Sequence, residues 1–486
     1  KKHGKGIIFD MYGNVKYDGD FSNGEKEGKG KYIYKDGKIY EEEWVKGKKN
    51  GKGIIYNKDG SILYEGDFVN DKREGNCKYI FEDGSYYIGQ CKDDKMNGKG
   101  KLYLKNGELK YDGDYVNGIK EGNGKLMYDS GGYYIGQIQN GKRHGKGKEY
   151  SKDNVLRYAG DFVNGEIKGI GRLYYENGNY YIGQWLNGLM NGKGTLYDKE
   201  GNIIYEGNYV NGEKEGDGKY IERNGIYYVG QWKKGNMNGK GRLYSKENKI
   251  IYDGNFINDK KEGFGIFNYD TGGYYIGQWL NNMKHGKGKE YYKNGNIKYE
   301  GDFAFGKFEG NGKYFYENGD CYIGHFVNGK KNGKGTLHYK NGIAILYEGD
   351  FLNGIIEGEG KIVIGNGNYY TGQWKNGQMH GKGKIYNVED NIIYDGDFVN
   401  NEKEGKGRYF YSNGDYYIGQ WFKGKRHGKG IIYNKEGNIL YEGDFVNDKR
   451  EGSCKWININ GDYYIGQCFN NKKHGKGQEY NKEGFL

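Results

Sequence analysis

Eight histidines are the first residues of this 486-residue chain that invite a chemical reading. Six of them, His3, His144, His285, His380, His427 and His474, share one recurring loop position. Asn50, Asn97, Asn191, Asn238 and Asn332 occupy that position elsewhere. Asn and His both tolerate left-handed backbone and both offer polar contacts inside a turn, so the exchange points to turn chemistry rather than catalysis. The spacing does not suit zinc either, because these histidines lie ~19 Å or more apart once the chain is laid out as stacked strands. Gly-x-Gly, often with Lys between, recurs in nearly every segment and superficially resembles a phosphate loop. It falls within strand-like sequence and precedes no helix, so the helix N-terminus that would hold a phosphate is missing. No catalytic, metal-ligating or cofactor-binding set emerges, and a non-enzymatic protein is expected.

Two other residue sets could bind rather than react. Basic pairs recur in loops: Lys48 and Lys49, Lys142 and Arg143, Lys330 and Lys331, Lys425 and Arg426, Lys472 and Lys473. A row of them could meet anionic lipid or acidic protein tails. The alternate loops carry Glu25, Glu74, Glu121, Glu215 and Glu262, which dilutes the row and favours plain solvated loops. The second set pairs an aromatic with an aliphatic residue: Tyr86 and Ile88, Tyr133 and Ile135, Tyr180 and Ile182, Tyr274 and Ile276, Tyr416 and Ile418, Tyr463 and Ile465. Exposed apolar rows of this kind usually mark interfaces, so this ladder is a candidate partner surface. The competing reading is that the row packs against neighbouring Lys stems.

The elements that must position these residues follow from a repeat. Tyr-x-Gly-x-aromatic starts twenty times, at Tyr17, Tyr40, Tyr64, Tyr87, Tyr111 and onward to Tyr464. Intervals of 23 and 24 residues alternate, so the true period is 47. One half, A, reads Tyr-Glu-Gly-Asp-Phe-Val-Asn-Gly followed by Glu-Gly-x-Gly-Lys. The other, B, reads Tyr-Ile-Gly-Gln-Trp followed by Lys-His/Asn-Gly-Lys-Gly. The step from Tyr322 to Tyr347 is longer, an insertion near Ala344. Each half holds two alternating segments around an Asn-Gly-rich loop, which predicts a β-hairpin.

A pairing register can be assigned on the rule that large side chains cover glycines on adjacent strands. It sets Phe21 against Gly30, Gly19 against Tyr32, Tyr17 against Tyr34, and Gly30 also against Trp44. In the dyad that starts at Tyr111 it puts Gly124 between Tyr115 and Ile138, and Leu126 between Gly113 and Gly136. On the opposite face it aligns Asp20, Asp67, Asp114, Asp161, Asn208 and Asn255 with Lys31, Lys78, Lys125, Arg172, Lys219 and Ile266. Cysteines supply a check. Cys77 replaces a Gly where Cys91 replaces the Trp, and Cys454 and Cys468 repeat the paired exchange. Either pair could close a cross-strand disulfide; in a cytosolic protein, reduced thiols filling the space of Gly plus Trp are expected. Cys321 has no partner and reads as a substituted Tyr.

Composition agrees with an open repeat rather than a compact core: 93 Gly, 54 Tyr and no Pro, with 35% apolar and 17% aromatic residues. The formal charge is +11, but 76 basic and 65 acidic residues are mixed throughout, so a nucleic-acid partner is not expected. Without an 18-residue apolar run or a leader-like start, an intracellular protein is expected. Five cysteines argue against a secreted disulfide framework.

The run Tyr-x-Gly-x-aromatic, Asn-Gly, Gly-x-Gly and a closing Gly resembles the MORN repeat (membrane occupation and recognition nexus) along essentially the whole chain. Departures are few: Glu42 replaces the first Gly of the second unit, and Cys or Ile replaces some Trp. The resemblance implies an all-β fold, an elongated, twisted single antiparallel sheet of stacked β-hairpins, ~190 Å long before twist. It implies one continuous array over 1–486: a partial repeat at 1–16, nineteen repeats alternating A and B over 17–463, and a final, uncapped repeat at 464–486. Solenoids need caps or covered ends, so a fragment of a longer array, or ends covered by partners, is expected. The implied roles are a scaffold in a cytoskeletal or ciliary (axonemal) assembly with protein partners or self-association through open ends, a membrane-associated protein, or a regulatory array cut from an enzyme.

Overall fold

The dihedral demands of Asn-Gly decide the local structure. In the hairpin formed by strands Leu109–Val116 and Ile119–Met127, Asn117 and Gly118 have φ of 50° and 89°. Two successive positive φ values define a type I′ turn, whose twist matches that of antiparallel strands. The next strand, Tyr133–Gln139, is reached through Tyr128–Gly132, where the Tyr128 N–H donates to the Gly132 carbonyl at 2.8 Å. The computed structural model describes residues 1–486, the Asn341 side chain excepted. It contains 41 strands and two short 3₁₀ turns, Lys340–Gly342 and Gly365–Gly367. The first of these turns takes up the insertion expected near Ala344.

The chain divides into two compact units, Lys1–Gly239 with Ser245–Glu247, and Lys240–Tyr244 with Asn248–Leu486. Each is an all-β antiparallel sheet of hairpins stacked in chain order, as the repeat predicts.

The register differs from the sequence-based assignment by two residues. Glycine faces glycine: Gly113 pairs with Gly124, and Gly124 with Gly136; Tyr111 pairs with Leu126, and Leu126 with Tyr134. Likewise Gly19 pairs with Gly30, Tyr17 with Tyr32, and Trp44 with Gly28 rather than Gly30. The cause is a bulge beyond each tip. Val116 pairs with Ile119 and Tyr115 with Lys120, yet the ladder resumes at Gly113 and Gly124, leaving two extra residues on the second strand. Gly122, inside the bulge, has φ of 72°, which favours glycine.

A shift of two preserves side-chain parity, so both faces hold the residues expected. The inner face is an aromatic spine. Tyr111 is wholly buried, its hydroxyl donates to the Asp114 carbonyl at 2.9 Å, and its ring lies across Gly124. A Cβ added at Gly124 would lie 2.5 Å from that ring. Rings interlock edge to face from unit to unit: Tyr158 meets Phe162 at 5.2 Å and Trp185 at 5.5 Å, and Tyr181 meets Trp185 at 5.4 Å and Tyr209 at 5.2 Å. Such contacts add about 0.5–1.5 kcal/mol each beyond burial. The indole N–H of Trp185 donates to the Gly171 carbonyl at 3.2 Å, tying neighbouring hairpins together.

The spine lacks its ring at Cys91, Ile138 and Cys468. At both cysteines a disulfide stands in, joining Cys77 to Cys91 and Cys454 to Cys468, each with Cα atoms 6.0 Å apart. This corrects the expectation of reduced thiols. The paired exchange did mark a contact, but a diagonal one: Cys77 lies opposite Gly66 and Gly89, and Cys91 opposite Gly75. Cys321 is buried and free.

Candidate interaction surface

The tips account for several of the recurring His, Asn and Glu, with Glu27 rather than Glu25 serving in the first unit. Asn50 accepts the Asn70 N–H at 3.1 Å, and His3 Nδ1 accepts the Asn23 N–H at 3.3 Å. In the alternate loops Glu121 accepts the Asn140 N–H at 2.9 Å and Glu262 the Asn281 N–H at 2.7 Å. Each of these four side chains caps the following tip, so the polar turn contact expected of the His/Asn position is present at His3 and Asn50. The position itself lies in a strand without the left-handed backbone expected, and His144 and His427 leave Nδ1 buried without a partner among the described residues. Among the described residues no group of three His, Cys, Asp or Glu is placed to hold a metal ion. No helix is long and apolar enough to cross a membrane, which says nothing of a β-barrel.

The basic pairs divide by strand parity. Lys48, Lys142, Lys330, Lys425 and Lys472 are exposed. Their partners fold over the inner rings. Lys49 donates to the Tyr34 hydroxyl at 2.8 Å, Lys331 to that of Tyr316 at 3.0 Å, and Arg426 to that of Tyr411 at 2.6 Å. Arg143 binds the Tyr128 hydroxyl at 3.0 Å and the Glu149 carboxylate, while Lys473 pairs with Glu479 at 2.7 Å. The A units place Lys26, Lys120, Lys261 and Lys403 similarly, Lys26 lying 4.1 Å from the Trp44 ring centroid. Burial lowers the pKa of these four amines. In four of the five basic pairs only one member is therefore fully exposed as a loop charge; in the last pair Lys473 is exposed as well as Lys472.

The acid–base alignment expected on the outer face is likewise displaced. Lys31 lies opposite Asp18, Lys78 opposite Glu65, Lys125 opposite Asp112, Arg172 opposite Ala159, Lys219 opposite Glu206 and Ile266 opposite Asp253. Asp114 pairs instead with Lys99 of the preceding hairpin at 2.5 Å and accepts the Asn123 N–H of its own bulge at 3.0 Å. Burial raises the Asp114 pKa, but the Lys99 and Asn123 hydrogen bonds and the Lys99 charge outweigh it and leave it below the ordinary value. Gln takes over this capping in B units, where Gln90 accepts the Lys99 N–H at 3.0 Å. Sequence reasoning missed the bulge cap. Its signal is an Asp or Gln nine residues before the residue between the two glycines.

The Tyr/Ile ladder lies on the outer face. Ile88, Ile135, Ile418 and Ile465 are exposed, and Ile182 and Ile276 are half-buried. Each ladder tyrosine is held. Tyr86 stacks on Tyr103 at 4.9 Å, Tyr133 on Tyr150 at 4.8 Å, Tyr180 on Tyr197 at 4.9 Å and Tyr274 on Tyr291 at 4.3 Å. Tyr416 stacks on Tyr433 and Tyr463 on Tyr480. Lys125 lies 3.9 Å from the Tyr133 centroid and Arg408 4.2 Å from that of Tyr416. The ladder thus has two parts, tyrosines covered by Lys and Arg stems and a more open row of Ile.

Between consecutive ladder isoleucines the glycines leave grooves in the outer face. One spans Ile276 to Ile323 with a volume near 860 Å³, one Ile418 to Ile465 near 770 Å³, and one Ile135 to Ile182 near 650 Å³.

Stacked hairpins with a consumed inner face and a grooved, charged outer face define an interaction repeat. Twenty successive segments match the MORN repeat, from residues 17–39, 43–62 and 64–86 to 417–439, 441–463 and 464–484. The chain belongs to the MORN repeat family, a non-enzymatic repeat family whose arrays mediate interactions. A search of curated proteins found no match. Among solved structures, the chain is similar to a Bacteroides caccae protein of unknown function, with 13% identity over 52% of this chain and 90% of that one and a TM-score of 0.12. It is also similar to a mutant TCP10 domain of Danio rerio CPAP, with 11% identity over 51% and 99% and a TM-score of 0.17. Those scores carry no functional argument.

Proposed function

We propose that the chain is a non-enzymatic scaffold that docks protein partners along the outer face, in a cytoskeletal or ciliary assembly as the family resemblance suggests. The observation that carries this reading is the asymmetry of the two faces. Inner rings are buried against one another, whereas the outer face offers repeated grooves walled by exposed or half-buried Ile. Exposed apolar positions that recur in register are suited to a partner of matching length. A membrane role through basic loops has less support, since Arg143, Arg426, Lys49 and Lys331 are occupied by intramolecular contacts.

The test is affinity purification of the native chain and of an Ile276→Glu/Ile418→Glu variant, at low and high salt. Loss of the same protein partners from the variant at both salts supports docking on the outer face. An unchanged partner set overturns it, and lipid-rich membrane released by salt would move the function to the loops.

A further inference from the structure

One outer row runs straight across the strands through the ladder isoleucines, with one residue per strand in direct register. In most dyads it reads acid, base, apolar residue, and base or neutral residue, as in Asp112, Lys125, Ile135 and Lys148, with Ile266 departing at the second place and Glu41 and Thr371 at the third. The acid stands directly after each A-unit tyrosine: Asp18, Glu65, Asp112, Glu206, Asp253, Glu300, Glu348, Asp395 and Glu442. Only Ala159 breaks the series.

The fourth place is basic at Lys101, Lys148, Arg242, Lys289 and Lys384. Four of these pair with the acid on the next strand: Lys101 with Asp112 at 3.3 Å, Arg242 with Asp253 at 2.8 Å, Lys289 with Glu300 at 2.9 Å and Lys384 with Asp395 at 3.2 Å. Lys148 faces Ala159 instead, and Arg172 faces Ala159 from the other side. Both are exposed, Arg172 with one guanidinium N–H donated to the Tyr174 hydroxyl at 3.2 Å and its other donors unused by any acid among the described residues, and the groove they flank is completed by Ile135, Ile170 and Ile182. Ile170 is 59% exposed and replaces a residue that is polar in most other A units.

We propose that this notch receives a carboxylate side chain from an extended segment of a partner protein, which supplies the acid the repeat omits. Resting on the reading of the outer face as a protein-docking surface, it names the chemistry of the partner there. The geometry also sets a spacing. Ile135 and Ile182 each lie two strands from Ala159, ~9.6 Å before twist. A polyproline II segment places every third side chain on one side, ~9.3 Å apart. The matching partner sequence is therefore apolar-x-x-Glu-x-x-apolar, its Glu between Lys148 and Arg172 and its apolar ends on the two isoleucines. A guanidinium and an ammonium around one carboxylate favour an anionic side chain over any neutral one.

The probe is a fluorescein-labelled peptide containing Leu-Pro-Pro-Glu-Pro-Pro-Leu, titrated by anisotropy against the full chain, with its Gln counterpart. One peptide per chain is expected, with affinity about tenfold lower for the Gln peptide, the effect of ~1.4 kcal/mol. Ala159→Asp, which installs the acid found in sibling repeats, should weaken the Glu peptide to the same extent. Glu300→Ala recreates the notch between Lys289 and Lys313 and should raise the stoichiometry to two. The proposal is overturned if the folded chain does not bind the Glu peptide, if Glu and Gln peptides bind alike, or if Ala159→Asp changes nothing. Capture of phosphatidylserine vesicles in place of the peptide overturns it as well. Failure of the underlying docking reading would appear separately, as a partner set insensitive to the Ile276 and Ile418 substitutions.

Discussion

Gly124→Ala puts the glycine-facing register to a direct test. The new Cβ would lie 2.5 Å from Tyr111 Cε2, 2.6 Å from its hydroxyl and 2.7 Å from Cζ, and neither the ring nor the strand can yield freely. Complete ejection of the ring would expose roughly 150–250 Å² of aromatic surface, ~4–6 kcal/mol at ~25 cal/mol per Å². Partial accommodation is the usual response to overpacking and costs about 1–3 kcal/mol. Loss of the Tyr111 hydroxyl bond to the Asp114 carbonyl adds about 0.5–1.5 kcal/mol. The expected penalty is therefore ~2–4 kcal/mol.

In a repeat array that penalty is local, so the measurement is amide hydrogen exchange on the full chain rather than a global melt. At ~1.4 kcal/mol per tenfold, amides of Leu109–Val116, Ile119–Met127 and Tyr133–Gln139 should exchange roughly 30-fold to several hundredfold faster. Distant repeats should be unchanged. Tyr111→Phe, which keeps the ring and loses only the hydroxyl bond, should change exchange by about 2- to 12-fold. In a Tyr111→Ala background the added methyl has nothing to strike, so Gly124→Ala should then cost little. The reasoning is refuted if Gly124→Ala alone stays within about threefold of the parent, or if its cost is the same with and without the Tyr111 ring.

Three further outcomes are expected. Glu42 stands at a strand glycine with φ of 122°, where a side chain costs about 1–3 kcal/mol of backbone strain, so Glu42→Gly should slow amide exchange in Ile39–Val45. Peptide mapping without reductant should recover Cys77 joined to Cys91 and Cys454 joined to Cys468; Cys321, buried and with its thiol pKa raised by that burial, should resist alkylation until the chain unfolds. Burial pushes Tyr17, Tyr87, Tyr134 and Tyr181 up to about 12 from an ordinary 10.0, so their contribution to stability is full below pH 10 and fades as pH rises toward 12. Spectrophotometric titration should show a fraction of the phenolate appearing late and together with loss of sheet signal; ordinary, early ionisation of every tyrosine would contradict the buried spine.

What the sequence made legible was parity. A 47-residue dyad of alternating segments specified hairpins, and period two put Tyr-Gly-aromatic on one face and Tyr/Ile on the other. The register was hidden because the two glycines of Glu-Gly-x-Gly serve different needs. Gly122 takes left-handed backbone in the bulge, while Gly124 leaves room for the Tyr111 ring. Treating both as sites for a covering side chain sets Phe21 over Gly30 and moves every pair by two. The Cys77–Cys91 exchange could not expose the error, because directly opposed and diagonal positions on one face are both within reach of a contact. The splitting of Lys142 and Arg143 onto opposite faces was implicit in the same parity, but a pair read as a loop conceals it.

Register, not composition, is what turns the outer face into a set of distinguishable sites. The unit with Ala159 and Asp161 keeps one acid, the same number as those with Glu206 and Asn208 or Asp253 and Asn255, so a count of acids cannot tell it from these two. Once Lys148, Ala159 and Arg172 are known to be cross-strand neighbours, the absent carboxylate becomes a place where two bases flank a residue that is acidic in every other A unit. The inner spine permits this freely. Tyr158, Phe162 and Trp185 keep their edge-to-face contacts whether residue 159 is acidic or not, because that side chain points away from them. A repeat of this kind can therefore vary its outer row one residue at a time, at little cost to the fold, and acquire partner specificity at single strands.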